Sequence, residues 1–394
     1  MPHTVILGTA RTPFGKMGGA LAPVEATDLG GKAITAALER SEVEPDQVQG
    51  VIYGQVLQAG QGQIPSRQAQ IKADIPREVP SETVNKVCAS GMRTIGLADQ
   101  AIRAGDLEIG VTGGMESMSN APYLLPGARF GFRMGDVNAV DAMTHDGLTN
   151  PFTGKQMINE ASEVANELEI TRPDMDRWAA RSHELAAKAT DEGRMAEEIV
   201  SVTVKQRKGE DLVEVDEAIR ADTTVEVLAR LSAIGGDDAN HTAGNAPGVN
   251  DGAAAVVVAS DEWAQANGRS PLGKVLSYGA VADDFAYLAK TPARAAKQAL
   301  DKIDRAPEDV DLWEINEAFA SVALNSLRML GVDEDKVNVN GGAIALGHPI
   351  GASGARIVGA LVHELRRRGG GVGCAAICSG GGQGDAIVVE VNGG

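Results

Sequence analysis

The sequence predicts an α/β protein made of two similar layered halves, with a different segment inserted between them. The first observation is an internal repeat, in which "ALERSEVEPDQVQGVIYG" at 37–54 aligns with "ALDKIDRAPEDVDLWEIN" at 299–316. Each copy reads as a helix, a proline-bearing loop and a short strand. The second is the tripeptide "ASG", which recurs at 89–91 and 352–354 and opens an apolar helix each time. Because strand and helix alternate in both copies, the pattern favours layered α/β halves.

The repeat also sets the predicted domain boundaries. The first half takes residues 1–118 plus a stretch at 250–270, and the second half takes 271–394. The segment 119–249 lacks the repeat and contains a Pro/Gly-rich stretch, "YLLPGARFGFRMGD", a charged helical run from 159 to 192 and a loop of small residues. We expect this loop domain to carry specificity, since inserted loops commonly do so.

Glycines are predicted to form turns at the ends of strands in both halves. The opening "HTVILGTARTP" predicts a first strand and a turn. "VTGGMES" at 111–117 and "ICSGGGQG" at 377–384 are both interpreted as a strand that runs into a glycine turn.

Composition argues against several classes of protein. The net charge of −18 argues against binding to nucleic acid or to an anionic membrane, and no apolar run approaches the roughly 18 residues of a membrane span. A basic patch at "VKQRKG" (204–209) with Arg220 could bind a small anionic ligand, and the alternative is a solvated charged loop. Three cysteines form no disulfide framework, and the opening residues show no signal-peptide pattern. We therefore expect a reduced, cytoplasmic protein that needs no metal.

Cys88 lies at a predicted strand-to-helix junction. Residues 82–87 alternate as a short strand, and Met92 and Ile95 begin a helical period that ends near Gly105. A helix N-terminus can lower the pKa of a cysteine and so favour the nucleophilic thiolate. The alternative is a buried cysteine that only packs.

His348 is the histidine that lies in a glycine-rich loop, "NVNGGAIALGHPIGASG", ahead of a helix. The loop lacks the Gly-Lys-Ser/Thr ending of a P-loop and the spacing of a dinucleotide fingerprint, so we reject both. The alternative is a histidine of a surface loop.

Two further cysteines and an asparagine complete the candidate set. Cys378 ends the strand "GCAAIC" and enters "SGGGQGD", where it could transfer a proton beside backbone N–H groups; Cys374, inside the same strand, is expected to pack. Asn316, in "WEINEAFAS", could hold a water or a carbonyl, or it could be a helix N-cap. Four separate loops thus supply polar groups at strand ends and helix starts, which is typical of an α/β active site.

Taken together, these motifs resemble the thiolase family. "NKVCASG" is similar to the family's nucleophile motif, and "NEAFA", "GGAIALGHPIGASG" and "CSGGGQG" are similar to its three C-terminal motifs, in order. "PYLLPGARFGFRMGD" and "HDGLTNPFTG" resemble the branch that acts on acetyl-CoA. The resemblance covers nearly the whole chain and implies duplicated α/β/α/β/α halves with an inserted loop domain.

The resemblance implies a role for each catalytic candidate. Cys88 would carry the acyl group as a thioester, and His348 would activate it and donate to the thioester oxygen. Cys378 would move the proton of the acetyl α-carbon. Asn316 would hold a water in the first oxyanion hole, and the N–H groups of Cys88 and Gly380 would form the second. Coenzyme A would be a substrate rather than a cofactor.

The residues implied to contact coenzyme A match the family only in part. Matching positions are Leu148, Met157, Arg220 and Phe319. The sequence departs from the pattern at Gln156, where the family has histidine, at Pro247, where it has serine, at Gly235, where it has phenylalanine, and at Leu288, where short-chain members often have methionine.

The function implied by the resemblance is reversible condensation of two acetyl-CoA to acetoacetyl-CoA and CoA, or thiolysis of short 3-ketoacyl-CoA. Alternatives are a thiolase for broader or medium chains and a CoA-binding scaffold without turnover. The exposed-looking apolar "LLPGARFGF" resembles a tetramerisation loop, so we expect a homotetramer built as a dimer of dimers.

Overall fold

The computed structural model describes residues 2–236 and 238–393. Its strands are β1 (Thr4–Arg11), β2 (Gly15–Lys16), β3 (Gly50–Gly54), β4 (Ser81–Val84), β5 (Ile109–Ser117), β6 (Tyr123–Leu124), β7 (Val140–Asp141), β8 (Val202–Lys205), β9 (Glu210–Val213), β10 (Asn250–Ser260), β11 (Gly273–Ala282), β12 (Leu312–Ile315), β13 (Gly371–Ser379) and β14 (Gln383–Val391). Its α-helices are α1 (Ala26–Ser41), α2 (Pro65–Lys72), α3 (Ser90–Ala104), α4 (Met157–Glu167), α5 (Arg172–Asp191), α6 (Val225–Leu228), α7 (Asp261–Ala266), α8 (Thr291–Asp301), α9 (Ala320–Leu330), α10 (Ala343–Leu346) and α11 (Ser353–Arg367). Within the described ranges, no helix has the length and apolar character needed to cross a membrane.

The main sheet repeats one topology twice. Its order is β4-β3-β5-β10-β1-β11-β14-β13-β12, with β2 paired to β10. In the first half β3 pairs parallel to β4 and β5, and β10 pairs antiparallel to β5 and β1. In the second half β12 pairs parallel to β13, with a parallel bridge from Trp313 to Val337 on its other side, and β14 pairs antiparallel to β13 and β11. The duplication predicted from the sequence is confirmed in the order and direction of the strands.

The two halves share a short seam and a layer of helices. β1 and β11 join at Val5–Lys274 and Ile6–Gly273. Helices α1 and α2 pack on the first half and α8 on the second, while α3 and α11 pack against each other between them. Three apolar cores separate these layers, and alternate residues of β13 face different cores, with Cys374 in one and Ile377 in another. The order of layers is therefore α/β/α/β/α.

The repeated "ASG" has a packing role in the central layer. A Cβ on Gly91 would lie 2.9 Å from the backbone nitrogen of Ala355, and a Cβ on Gly354 would lie 2.5 Å from that of Met92. The two helix starts can approach this closely because each carries a glycine at the same position of the motif.

One glycine prediction is wrong. "VTGGMES" does not run into a turn, because the whole stretch is part of β5. A Cβ on Gly114 would lie 1.9 Å from the carbonyl oxygen of Gly351, and a Cβ on Gly113 would lie 2.1 Å from that of Ala254. The glycines in β5 therefore allow close approach of neighbouring backbone, whereas those after Cys378 form a turn, with Gly381 and Gly382 at positive φ.

The inserted segment is less regular than the halves. The charged run from 159 to 192 is two helices, α4 and α5, rather than one, and Thr171 caps the start of α5 by accepting a hydrogen bond from the backbone N–H of Asp174. "VKQRKG" forms the end of β8 and the turn to β9, and residues 206–209 are exposed, as is Arg220. β10, which we assigned to the first half, lies in its sheet between β5 and β1. The other domain boundaries stay a prediction.

Candidate active site

A pocket of about 270 Å³ is lined by loops from both halves and from the inserted segment. It brings together ten of the residues singled out in the sequence. These lining residues are Cys88, Leu148, Gln156, Met157, Pro247, Leu288, Phe319, His348, Cys378 and Gly380. Arg220, Asn316 and Gly235 do not line it, although Ile234, the neighbour of Gly235, does. Because the remaining wall is mostly apolar, the pocket shields its polar groups from water.

Cys88 follows a strained turn. β4 ends at Val84 and α3 begins at Ser90, and between them Val87 has φ 44. A β-branched residue at positive φ is held at a cost of about 1–3 kcal/mol by surrounding contacts. The Ser90 hydroxyl supplies two of these contacts, since it accepts from the Lys86 N–H at 2.8 Å and donates to the Val87 carbonyl at 2.7 Å. The turn fixes the Cys88 thiol in the pocket wall.

The expected lowering of the Cys88 pKa is wrong. The side chain is buried, and loss of water raises the pKa of the Cys88 thiol to about 12, with a further contribution from the charge of Glu116. The effect of burial on the pKa is larger than the effect of the helix N-terminus. A thiolate loses more hydration free energy on burial than it gains in electrostatic stabilisation from the first N–H groups of α3. Cys88 is therefore a thiol at neutral pH, and a base must take its proton before it can attack.

His348 is buried, so the interpretation as a surface-loop histidine is wrong. Groups of the first half hold its loop. The His348 N–H donates to Asn250 Oδ1 at 2.9 Å, and the Gly351 N–H donates to Glu116 Oε2 at 3.1 Å. Glu116 also accepts from the backbone N–H groups of Val56 and Leu57. Sequence reasoning missed Asn250 and Glu116, and their positions within strands gave no local signal.

The hydrogen bonds of His348 assign its tautomer. The Ser353 hydroxyl donates to the Pro349 carbonyl at 3.0 Å, so it accepts at 2.6 Å from Nδ1–H of His348. Burial and the charge of Arg356 lower the pKa of His348 to about 3, so the ring is neutral. Its buried Nε2 has no hydrogen-bond partner among the described residues and presents a lone pair. His348 can therefore accept a proton at Nε2 and afterwards donate it.

Asn316 is fully buried and does not line the pocket, although Ala318 and Phe319, close to it in the sequence, do. Its backbone N–H donates to the Ala376 carbonyl at 2.9 Å, while the oxygen and nitrogen of its side-chain amide have no hydrogen-bond partner in the part of the chain that the structure describes. The N-cap alternative is wrong, because α9 begins at Ala320 with Phe319 as the N-cap residue. A buried amide without partners is costly, so its retention indicates a binding group.

Cys378 is the next-to-last residue of β13 and lines the same pocket as Cys88. Burial raises the pKa of the Cys378 thiol well above its ordinary value, and negative charge at Cys88 would raise it further. A Cβ on Gly380 would lie 3.2 Å from the Val87 side chain, so the glycine turn packs closely on the nucleophile turn. Cys374 is buried in the core of the second half, as its expected packing role requires.

Three of the four departures from the family pattern line the pocket. Gln156, Pro247 and Leu288 line it directly. Gly235 has φ 115, and a Cβ there would lie 2.1 Å from Asn159 Oδ1, so no other residue fits without local movement. Arg220 lies apart from the pocket, where its backbone N–H donates to Nδ1 of His183 at 3.2 Å.

The fold and the site together define an α/β protein suited to covalent acyl chemistry. One thiol, Cys88, has a neutral imidazole in the same pocket to take its proton, and a second thiol, Cys378, is placed to move another. Family models for the thiolase N-terminal domain and the thiolase C-terminal domain match residues 4–262 and 269–391. The chain belongs to the thiolase family.

Full-length relatives agree with this assignment. The chain is 49% identical over 391 residues to the acetyl-CoA acetyltransferase of Cupriavidus necator, covering 99% of this chain and 100% of that protein. It is 47% identical over 389 residues to the acetyl-CoA acetyltransferase of Chromobacterium violaceum, covering 98% and 99%. It is 48% identical over 388 residues to a probable acetyl-CoA acetyltransferase of Mycolicibacterium smegmatis, covering 98% and 100%.

Proposed function

We propose that the chain is an acetyl-CoA acetyltransferase, which condenses two acetyl-CoA to acetoacetyl-CoA and CoA and runs the reverse thiolysis. The observation that carries the proposal is the meeting of Cys88, His348 and Cys378 in one mostly apolar pocket. The names of the full-length relatives support the acetyl substrate.

The first half-reaction forms a thioester on Cys88. His348 Nε2 takes the thiol proton, and the sulfur attacks the carbonyl carbon of acetyl-CoA. As the carbon–sulfur bond to CoA breaks, the Cys378 thiol gives its proton to the leaving CoA sulfur. The raised pKa of Cys378 keeps that group protonated in the resting enzyme and makes its thiolate a strong base for the half-reaction that follows. Acetyl-Cys88, a protonated His348 and a Cys378 thiolate result.

The second half-reaction makes the carbon–carbon bond. The Cys378 thiolate takes a proton from the α-carbon of a second acetyl-CoA, and the carbanion attacks the carbonyl carbon of acetyl-Cys88. Protonated His348, with a water held by Asn316, donates to the enolate oxygen, and the N–H groups of Cys88 and Gly380 donate to the tetrahedral oxyanion. The bond to Cys88 then breaks, and its sulfur recovers the proton from His348. Acetoacetyl-CoA leaves, and every group returns to its starting state.

Coenzyme A is the substrate and product that the pocket would bind, and no separate cofactor enters these steps. Leu148, Met157, Phe319 and Gln156 would contact the acyl group and its thioester, and Pro247 would contact the pantetheine arm. The exposed Arg220 would reach an anionic part of coenzyme A outside the pocket. No nucleic acid takes part.

The oligomer is proposed to be a homotetramer. Residues 123–137 expose several large apolar side chains of the inserted segment to solvent, and such a patch usually marks an interface. The most exposed are Tyr123, Phe130 and Met134, at 69%, 92% and 97%. Light scattering is expected to give a mass near four times 40.8 kDa, and a monomer at micromolar concentration would contradict the proposal.

An assay of acetoacetyl-CoA thiolysis with CoA tests the proposed activity. We expect CoA-dependent loss of acetoacetyl-CoA, with two acetyl-CoA formed for each acetoacetyl-CoA and CoA consumed. A longer 3-ketoacyl-CoA assayed beside it distinguishes the broader-chain alternative. No turnover of either substrate by folded protein would favour a CoA-binding scaffold and overturn the proposal.

A further inference from the structure

A network of polar contacts connects the Cys88 turn (residues 85–89, between β4 and α3) to the strands β13 and β14, of which β13 carries Cys378. Lys86 of the turn forms an ion pair with Asp385 of β14, and the Tyr278 hydroxyl donates to the other oxygen of the same carboxylate. The Asp385 side chain is fully buried and that of Lys86 is 18% exposed. Neither residue lines the pocket. The Lys86–Asp385 pair therefore touches no substrate site directly.

The same lysine is bound through its backbone to a neighbour of Cys378. The Ser379 hydroxyl donates to the Lys86 carbonyl oxygen. In the ladder between β13 and β14, Asp385 pairs with Ile377, the residue before Cys378. The side chain and the carbonyl of Lys86 are thus both held by the second half, on either side of Cys378.

We propose that Lys86 and Asp385 are positioning residues, which hold the strained Cys88 turn in register with Cys378. The contacts of Lys86 would oppose backbone strain in the turn, and the charge of Asp385 would strengthen them. Val87 has φ 44, a conformation that relaxes unless neighbouring contacts maintain it. An ion pair removed from solvent is screened little by salt, so it restrains the turn more firmly than a surface pair.

This proposal rests on the function proposed above and concerns one of its two half-reactions. Acetylation of Cys88 needs the thiol and its base, and Cys378 only protonates the leaving group. Formation or cleavage of the carbon–carbon bond needs the α-carbon to lie against Cys378 while the carbonyl lies at Cys88. A small displacement of one cysteine relative to the other therefore affects thiolysis more than acetylation.

Three variants separate positioning from stability. Lys86→Met and Asp385→Asn each remove one charge of the ion pair and leave the other charge without its partner. Each single variant is therefore expected to lower the thermal unfolding midpoint. The double variant, Lys86→Met with Asp385→Asn, leaves no unpaired buried charge and is expected to recover most of that loss. Glu390→Gln is the matched control, because Glu390 also lies on β14 and its partner Arg305 is a half-exposed residue at 3.7 Å.

For each variant we would measure the unfolding midpoint, the rate of Cys88 acetylation by acetyl-CoA from mass spectra, and kcat for acetoacetyl-CoA thiolysis. In the double variant we expect kcat for thiolysis to fall about 10- to 100-fold and acetylation to fall much less. Glu390→Gln should match the unmodified protein in all three.

Two outcomes would overturn the proposal: full thiolysis in the double variant, or thiolysis and acetylation falling by the same factor. Failure of the proposed function is a different result, seen when the unmodified protein does not thiolyse acetoacetyl-CoA.

Discussion

The loops that precede α3 and α11 occupy equivalent places in the two halves but are built for different chemistry. Each leads into "ASG", and the two serines of that motif, Ser90 and Ser353, both use their hydroxyls to fix the loop before them. Ser90 binds two backbone groups and holds the turn of a nucleophile. Ser353 binds a carbonyl and the ring of His348, and so selects a tautomer. The two halves share one loop scaffold, and the reactive residue that it carries, Cys88 in the first half and His348 in the second, decides its chemistry.

The two halves also supply different catalytic groups. The first supplies the thiol that carries the acyl group, while the second supplies His348 and Cys378, the groups proposed to move protons. The second half's loop is nevertheless held by Asn250 and Glu116 of the first. The variants below test this division.

The largest effect is expected at the nucleophile of the first half. Cys88→Ser should abolish both acetylation and thiolysis, because a serine hydroxyl is a far weaker nucleophile when it has only a weakly basic imidazole to activate it. Incubation with acetyl-CoA followed by digestion and mass spectrometry measures the acyl-enzyme directly. Cys374→Ala is the control, since that cysteine packs away from the pocket. Acetyl label on Cys374 or Cys378 of the unmodified protein would contradict the assignment.

The second prediction concerns the second half's thiol. Cys378→Ser should lower thiolysis by about 10²–10⁴-fold, the usual contribution of a general acid–base group. It should still accept an acetyl group on Cys88, more slowly because the leaving CoA sulfur loses its proton donor. Acetyl transfer and thiolysis would be measured side by side. Full thiolysis in this variant would mean that another group moves the α-proton, with His348 the next candidate.

The third prediction uses the paired serines. Ser353→Ala should lower kcat for thiolysis about 10- to 100-fold, as loss of a partner that orients a histidine does, while KM changes little. Ser90→Ala should lower kcat too, and unlike Ser353→Ala it should also lower the thermal unfolding midpoint, because it releases the strained turn at Val87. If both variants lose stability and activity in the same proportion, the two serines share one structural role and the comparison fails.

The sequence predicted the scaffold better than the electrostatics of the site. The repeat and "ASG" predicted the duplicated halves, and the motifs around Cys88 and Cys378 predicted loops that do meet in one pocket. Local pattern cannot show that Gly351 is held by Glu116, 235 residues away in the sequence. The Cys88 pKa was predicted in the wrong direction for a related reason, since burial is set by residues from both halves, whereas the helix N-terminus is visible in the local sequence.

The smallest effect is expected from pH, and it distinguishes the buried imidazole from an ordinary one. His348 has its pKa lowered to about 3, so between pH 5 and 8 it stays neutral and its Nε2 stays available. The rate of Cys88 acetylation should therefore show no titration near 6.5, the pKa of a solvated histidine. The unfolded chain does bind a proton there, so stability falls as pH drops below 6.5 towards 3, by up to about 1.4 kcal/mol per pH unit for this group. Acetylation rates of the unmodified protein are measured from pH 5 to 8, and the free energy of unfolding is measured over the same range beside His348→Gln, which lacks the titrating ring. A rate midpoint near 6.5, together with the same pH dependence of stability in both proteins, would show that solvent reaches the ring.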